Sequence, residues 1–248
     1  MTWACGSGFG KMSRFGGFKI ALEHILMVSR ALGRLSAATC GCVGLAACHN
    51  AVCPLRVVWD LDETLVSSRR VPADPRAPPP PPNQRLRVAA DGACIEHVDD
   101  DALRFVTHAR PHARGVLRAL RLAPGVEQYV STAASPGYMA NVLSLLDPAG
   151  ELFAAARASE PSRGKDVARV VRPPGADAGL RRTVLVDNRP SCHSPQPANG
   201  ILVADFVHPA PDDRELVRVA GLLLLCWLLP DVRWALTPVP VPPPTRKK

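Results

Sequence analysis

Apolar and polar positions change their rhythm several times along the chain. Residues 55–60, LRVVWD, form a short run rich in β-branched residues and read as a buried strand. Residues 86–90, 93–98 and 103–107 read as short strands, with a turn at Asp91-Gly92. Pro111 suits the first turn of a helix running to about Leu122. Residues 126–131 then read as a strand, 136–146 as a helix, and 184–186 and 201–203 as two more buried strands. Asp212-x-x-Glu215 resembles a capping box opening a helix through Leu229. Strands that alternate with helices imply a mainly parallel α/β sheet.

The ends of the chain follow other patterns. Residues 1–50 are rich in Gly, Ala, Ser and Cys, and Glu23 is their only acid. Leu22, Ile25, Leu26 and Leu32 recur at helical spacing and predict an amphipathic helix near 18–34. A basic, acid-poor start of this kind suits a targeting segment or contact with a membrane surface, or else an extension packed on the domain. Residues 71–82, VPADPRAPPPPP, predict a polyproline loop, and the tail is proline-rich and basic. The resulting division is an extension at 1–50, a domain at 51–238 and a tail at 239–248.

With 248 residues, 47% of them hydrophobic, the chain can bury a substantial core. No apolar run reaches 18 residues, which argues against a transmembrane helix. The net charge of +8 suggests a basic surface for acidic or phosphorylated partners. Direct nucleic-acid binding is not expected: the chain holds only two Tyr and four Trp for base stacking, and arginine outnumbers lysine 25 to 5, a bias that coding composition can produce. Cys40, Cys42, Cys48, His49 and Cys53 are ligand types suited to zinc. They lack paired C-x-x-C knuckles, and the reduced cysteines of an intracellular protein explain them equally.

Four short segments carry candidate chemistry. Asp60 and Asp62 follow the first buried strand, at the edge where open α/β sheets bind ligands. Period-two geometry sends both side chains the same way until the strand ends. Two carboxylates so placed repel, and hard oxygen donors suit Mg²⁺ between them. Ser131 and Thr132 end the next strand with hydroxyls that can bind a phosphoryl oxygen. Lys165, in Arg163-Gly164-Lys165, is a point charge for phosphate. Asp187 and Asn188 follow the third buried strand.

Acid pair, hydroxyl, lysine and acid in this order resemble the motif layout of the haloacid dehalogenase superfamily. More narrowly, VVWDLDETLV, RPHARGVLRAL, STAASPGYMANVLSLLDP, RGKDV and VLVDNRPSCHSPQPANGILV resemble the Fcp/Scp phosphatases of the RNA polymerase II C-terminal domain, over about 55 to 236. The resemblance implies a Rossmann-like parallel sheet flanked by helices, with a small β insertion after the first motif. It implies Asp60 as nucleophile, Asp62 as general acid and base, Thr132 and Lys165 on the phosphoryl group, and Thr64, Arg157 and Arg163 toward substrate. Mg²⁺ would be held by Asp60, Asp62 through its backbone carbonyl, Asp187 and Asn188. A phosphoprotein substrate and a nuclear or cytoplasmic location follow from the same likeness. A non-catalytic scaffold on this fold, and a small-molecule phosphatase of the superfamily, remain as alternatives.

Overall fold

A computed structural model of the chain describes residues 49–72, 81–89, 93–158, 164–171 and 180–241. The helix expected near 18–34, the cysteines at 40, 42 and 48, the turn at 91–92, most of the proline loop and the end of the tail lie outside the described residues.

β1 (Leu55–Trp59) is the middle of a five-stranded sheet. Its neighbours are β6 (Val126–Thr132) and β8 (Thr183–Asp187), flanked by β7 (Ala155–Ala158) and β9 (Gly200–Leu202), and every pair is parallel. The helices α1 (Ala113–Leu122), α2 (Pro136–Leu146), α3 (Val167–Val171) and α4 (Glu215–Leu228) cover both faces. The two faces follow from strand period. Leu55, Val57 and Trp59 pack with the apolar stripes of α1, α2 and α4, whereas Val58 and Leu185 pack with Val167, Val170 and Val171 of α3. Burial of each such side chain contributes roughly 1.5–3 kcal/mol. A buried polar pair in the first layer is satisfied: Trp59 Nε1 donates to Gln128 Oε1 at 3.2 Å, and Gln128 Nε2 donates to Leu117 O at 2.9 Å.

Between β1 and α1 the chain builds a second sheet, antiparallel in the order β2-β5-β4-β3. Its strands are β2 (Val66–Arg70), β3 (Arg85–Val88), β4 (Cys94–Val98) and β5 (Arg104–Ala109). The expected insertion is therefore a four-stranded unit whose first strand, β2, the apolar pattern did not reveal. Val66 and Ser67 are buried while Ser68, Arg69 and Arg70 are progressively exposed, so β2 lacks an alternating signature. β7, with the pattern Ala-Ala-Arg-Ala, was invisible for the same reason.

Several boundaries move. β1 stops at Trp59, one residue before the first acid. α1 starts at Ala113, because His112 takes a left-handed conformation (φ 67°) at the cap. The capping box at Asp212 does not form: Asp213 Oδ1 accepts from Glu215 N–H at 2.9 Å, and Glu215 reaches back to Ala204 N–H at 3.1 Å. Asp213 is also held by Arg110, whose Nη1 donates to the carbonyls of Thr64 and Ala204. The Arg110-Pro111 landmark thus braces the loop after β1 from behind.

Candidate active site

Asp60 is the first residue to leave the middle strand. Trp59 lies level with Val130 on β6 and Val186 on β8, and Asp60 N–H donates to Val186 O at 3.0 Å. The carboxyl ends of three adjacent parallel strands therefore bring Asp60, Thr132 and Asp187 to one edge. Asp60 leaves toward the face that α3 covers, where Val58 also packs. Lys165 arrives on that face from the segment just before α3. Its Nζ is hydrogen-bonded to Asp60 Oδ1 and lies 2.7 Å from Asp187 Oδ2. Gly164 makes the approach possible. It sits at φ 71°, and a Cβ there would lie 2.5 Å from Ser194 Oγ and 2.8 Å from the Pro195 ring. Lys165 N–H then donates to Cys192 O at 2.8 Å, tying the lysine to the turn after β8.

These three charges are nearly dry: Asp60 is 3% exposed, Lys165 5% and Asp187 0%. Burial pushes the Asp60 carboxyl up to about 6, Lys165 pulling against it and the Asp187 charge adding to the rise. For Lys165, burial alone would lower the ammonium. The charges of Asp60 and Asp187 outweigh it and hold the group above its ordinary value. Two carboxylates share one cation, so the cluster carries an excess negative charge.

Asp62 goes elsewhere. After Leu61 the chain turns sharply, with Leu61 O accepting from Leu65 N–H and Val66 N–H and with Glu63 left-handed at φ 60°. The turn carries Asp62 away from Lys165 and against α2, where Tyr138 Oη donates to Asp62 Oδ1. Burial raises the Asp62 carboxyl above its usual range, the Tyr138 bond acting the other way. Tyr138 itself is raised, first by burial and then by the Asp62 charge, so it stays a phenol and a donor. The acid pair is thus split between two environments, because the strand that would have kept the side chains parallel ends before either acid.

The remaining sequence candidates separate. Thr132 is fully buried at the end of β6, and its Oγ1 accepts from Ala134 N–H at 3.2 Å. Thr64 is fully buried, and its hydroxyl donates to Asn188 Oδ1 at 3.4 Å, which makes it a brace for the loop. Asn188 is fixed at its other end by Glu63 Oε2 at 2.9 Å and Asp205 Oδ1 at 3.0 Å. Arg157 is exposed at the end of β7, level with Ser131. Arg163 lies outside the described residues. His193 is buried with Nε2 3.2 Å from Asp187 O. Burial, followed by the Asp187 charge, pushes the Cys192 thiol up to about 12, so it is a packed thiol.

The donor set suits a hard divalent cation. Asp60 Oδ2 is buried without a hydrogen-bond partner, and Asp187 Oδ2, although close to the ammonium, makes no aligned hydrogen bond. Among the described residues no three His, Cys, Asp or Glu side chains converge. Two carboxylates, with backbone carbonyl, amide oxygen and water completing the shell, match Mg²⁺, which keeps several waters.

Sequence patterning did not single out Tyr138, Glu63 or Asp205. Tyr138 is one of only two tyrosines and falls three residues after Ser135, which caps α2 by accepting Tyr138 N–H. On sequence it is indistinguishable from a core aromatic.

Residues 55–233 match the protein family described as NLI interacting factor-like phosphatase. Among solved structures, the chain is similar to a variant of the fission yeast RNA polymerase II CTD phosphatase Fcp1 bound to beryllium fluoride, at 16% identity and TM-score 0.45, covering 73% of this chain and 53% of that one. A second structure, of Fcp1 as an essential RNA polymerase II CTD phosphatase, matches at 17% identity and TM-score 0.44, covering 73% and 52%. The chain thus spans about half the length of those structures. No curated protein matches it.

Proposed function

The chain belongs to the NLI interacting factor-like phosphatase family, and on that premise we propose that it is a Mg²⁺-dependent phosphoprotein phosphatase acting on phosphoserine and phosphothreonine. The observation that carries this reading is Lys165 held between Asp60 and Asp187 at the carboxyl end of the middle strands. A non-catalytic scaffold gains nothing from three nearly dry charges at one edge of its sheet, since such a cluster costs desolvation energy.

In this reading the Asp60 oxygen attacks phosphorus in line while the P–O bond to the serine or threonine breaks, leaving an aspartyl-phosphate. Asp62 gives its proton to the departing alkoxide and then takes one from the water that hydrolyses the intermediate. The split of the acid pair serves both roles. Asp60 has the Lys165 ammonium directly against it to oppose the rise that burial imposes on its carboxyl, whereas Asp62 is hydrogen-bonded by a neutral phenol and keeps a carboxyl raised by burial. Lys165 neutralises oxygens of Asp60 and of the phosphoryl group, and Thr132 offers a hydroxyl from the neighbouring strand. Asp60, Asp187, the Asp62 carbonyl and Asn188 would hold Mg²⁺, the last of them directly or through water. When bound, the cation supplies positive charge that offsets repulsion between the carboxylate and the phosphate dianion.

Thr64 acts in this scheme through Asn188, and Arg157 offers an exposed cation to a substrate. The substrate class is a phosphorylated peptide, the polymerase C-terminal domain or a similar one. The test is hydrolysis of p-nitrophenyl phosphate with Mg²⁺ and with excess chelator, by the full chain and by Asp60→Asn, followed by a phosphopeptide panel. Activity that needs the cation and disappears in Asp60→Asn is expected. Near-normal turnover by Asp60→Asn would refute the nucleophile.

A further inference from the structure

Asp62 touches the second sheet through a chain of neutral groups. Tyr138 Oη is hydrogen-bonded to both Asp62 Oδ1 and Ser68 Oγ. A phenol has one proton, and an ionised carboxylate can only accept, so the proton goes to Asp62 and Ser68 is the donor to Tyr138. Ser68 Oγ lies 2.8 Å from Thr107 Oγ1, its cross-strand partner on β5, and Thr107 Oγ1 lies 2.8 Å from His97 Nε2 on β4. Thr107 and His97 are fully buried. His97 Nδ1 has no partner. A proton on Nε2 leaves only a lone pair unmet there, whereas a proton on Nδ1 would strand a donor at higher cost. With the proton on Nε2, every bond from His97 through Thr107, Ser68 and Tyr138 can point toward Asp62. The rings are caged as well: His97 stacks on Phe105 at 5.7 Å, and Tyr138 meets His97 at 5.2 Å and Phe105 at 5.3 Å edge-on.

We propose that Tyr138 is a positioning residue for Asp62, oriented by Ser68, Thr107 and His97 of the inserted sheet, so that the insertion sets the geometry of proton delivery to the leaving group. This rests on the phosphatase reading and deepens it. Tyr138 occupies Oδ1 and fixes the carboxyl plane, leaving Oδ2 to hold the proton. When the P–O bond to the leaving group breaks, that proton moves from Oδ2 to the departing alkoxide, and Asp62 is left ionised with its Tyr138 bond intact. Tyr138 neither gains nor loses a proton overall. The inserted sheet is thereby coupled to the chemistry through five hydrogen-bonded side chains, drawn from the turn after β1, β2, β4, β5 and α2.

Leaving-group dependence distinguishes positioning from a merely structural role. A nitrophenolate departs without a proton, and a serine alkoxide does not. In Tyr138→Phe, kcat/KM for a phosphoserine peptide should fall about tenfold or more while that for p-nitrophenyl phosphate falls less than about threefold. Thr107→Val, which removes a hydroxyl behind Ser68 and Tyr138, should tilt the same ratio in the same direction by a smaller factor. Equal losses on both substrates, or an unchanged ratio, overturn the proposal. If Tyr138→Phe does not fold, as judged by circular dichroism and its melting curve, the ratio in Thr107→Val decides alone. A wild-type chain that hydrolyses neither substrate overturns the phosphatase reading, and the network's catalytic role with it. An active wild type whose variants keep the ratio overturns the network only.

Discussion

Asp60 and Asp62 stand two residues apart, yet the molecule treats them in opposite ways. Asp60 is stabilised by charge: Lys165 bonds to it, and Asp187 sits across the same ammonium. Asp62 is stabilised without a direct cation partner, by a phenol at the end of a row of hydroxyls. The parallel sheet delivers the first arrangement, because three strand ends meet at one edge. The inserted antiparallel sheet supplies much of the second. A buried ionic cluster fails when one member is lost, since the others are left uncompensated. A neutral network degrades by steps, because each bond is worth only about 1 kcal/mol net. Function and stability should therefore respond differently on the two sides.

The largest effect is expected on the ionic side. Lys165→Met leaves two buried carboxylates without their cation and should cost about 3–5 kcal/mol, together with all measurable turnover. Urea denaturation should show the loss, and Mg²⁺ should restore more stability to this variant than to the wild type. A variant as stable as the wild type without Mg²⁺ would mean that the cluster is not a coupled unit.

Asp62→Asn comes next and separates chemistry from stability. The carboxamide oxygen can still accept from Tyr138, so the melting temperature should change little. Turnover of a phosphoserine peptide should fall roughly 10²–10⁴-fold. A large fall in melting temperature would show that the Asp62 charge, rather than the hydrogen bond, matters to the fold.

A third test concerns pH. Burial holds His97 down at about 4, the Asp99 charge acting against it, from an ordinary value of 6.5. Above 6.5 the group is neutral in both the folded and the unfolded chain. As the pH falls from 6.5 toward 4, only the unfolded chain takes up the proton, so the wild type loses stability, about 3 kcal/mol at most. Asp60, raised to about 6, works in the opposite direction over the same window and is common to both proteins. The stability difference between wild type and His97→Gln should therefore shrink as the pH falls through that window. A difference independent of pH would place His97 in a more solvated setting.

The smallest effect is at the seam between the sheets. Gly137 lies in the first turn of α2, where its N–H donates to Asp100 Oδ2 at 2.7 Å and an added Cβ would meet Asn83 Oδ1 at 1.7 Å. The acidic run Asp99-Asp100-Asp101 between β4 and β5 is thus structural in part, Asp99 holding its own turn and Asp100 holding α2. Gly137→Ala should cost about 1 kcal/mol and speed amide exchange in β3 and β4 more than in β1. Uniform exchange would mean that the two sheets open as one.

Much of the parallel sheet was legible because its strands are continuous apolar runs, buried on both faces. VVW and TVLV could hardly be anything else, and the acids that follow them were placed at the ligand edge by the same pattern. β2 and β7 escaped because Ser-Ser-Arg-Arg and Ala-Ala-Arg-Ala have no apolar alternation to read. The placement of the candidate site was legible where strand ends bring Asp60, Thr132 and Asp187 to one edge. It was not legible at Tyr138, whose partner lies 76 residues away in sequence.

What the amino-acid order determined alone was local: which apolar runs would be strands and which charged groups would emerge near their ends. Only the tertiary structure decided how those groups share their partners. Lys165 meets Asp60 across 105 residues, and a turn of one left-handed glutamate sends Asp62 to a different neighbour than its sequence companion. The reason is physical. Strand period controls direction only while the strand lasts, and beyond Trp59 the choice of partner belongs to whichever buried group can satisfy the charge.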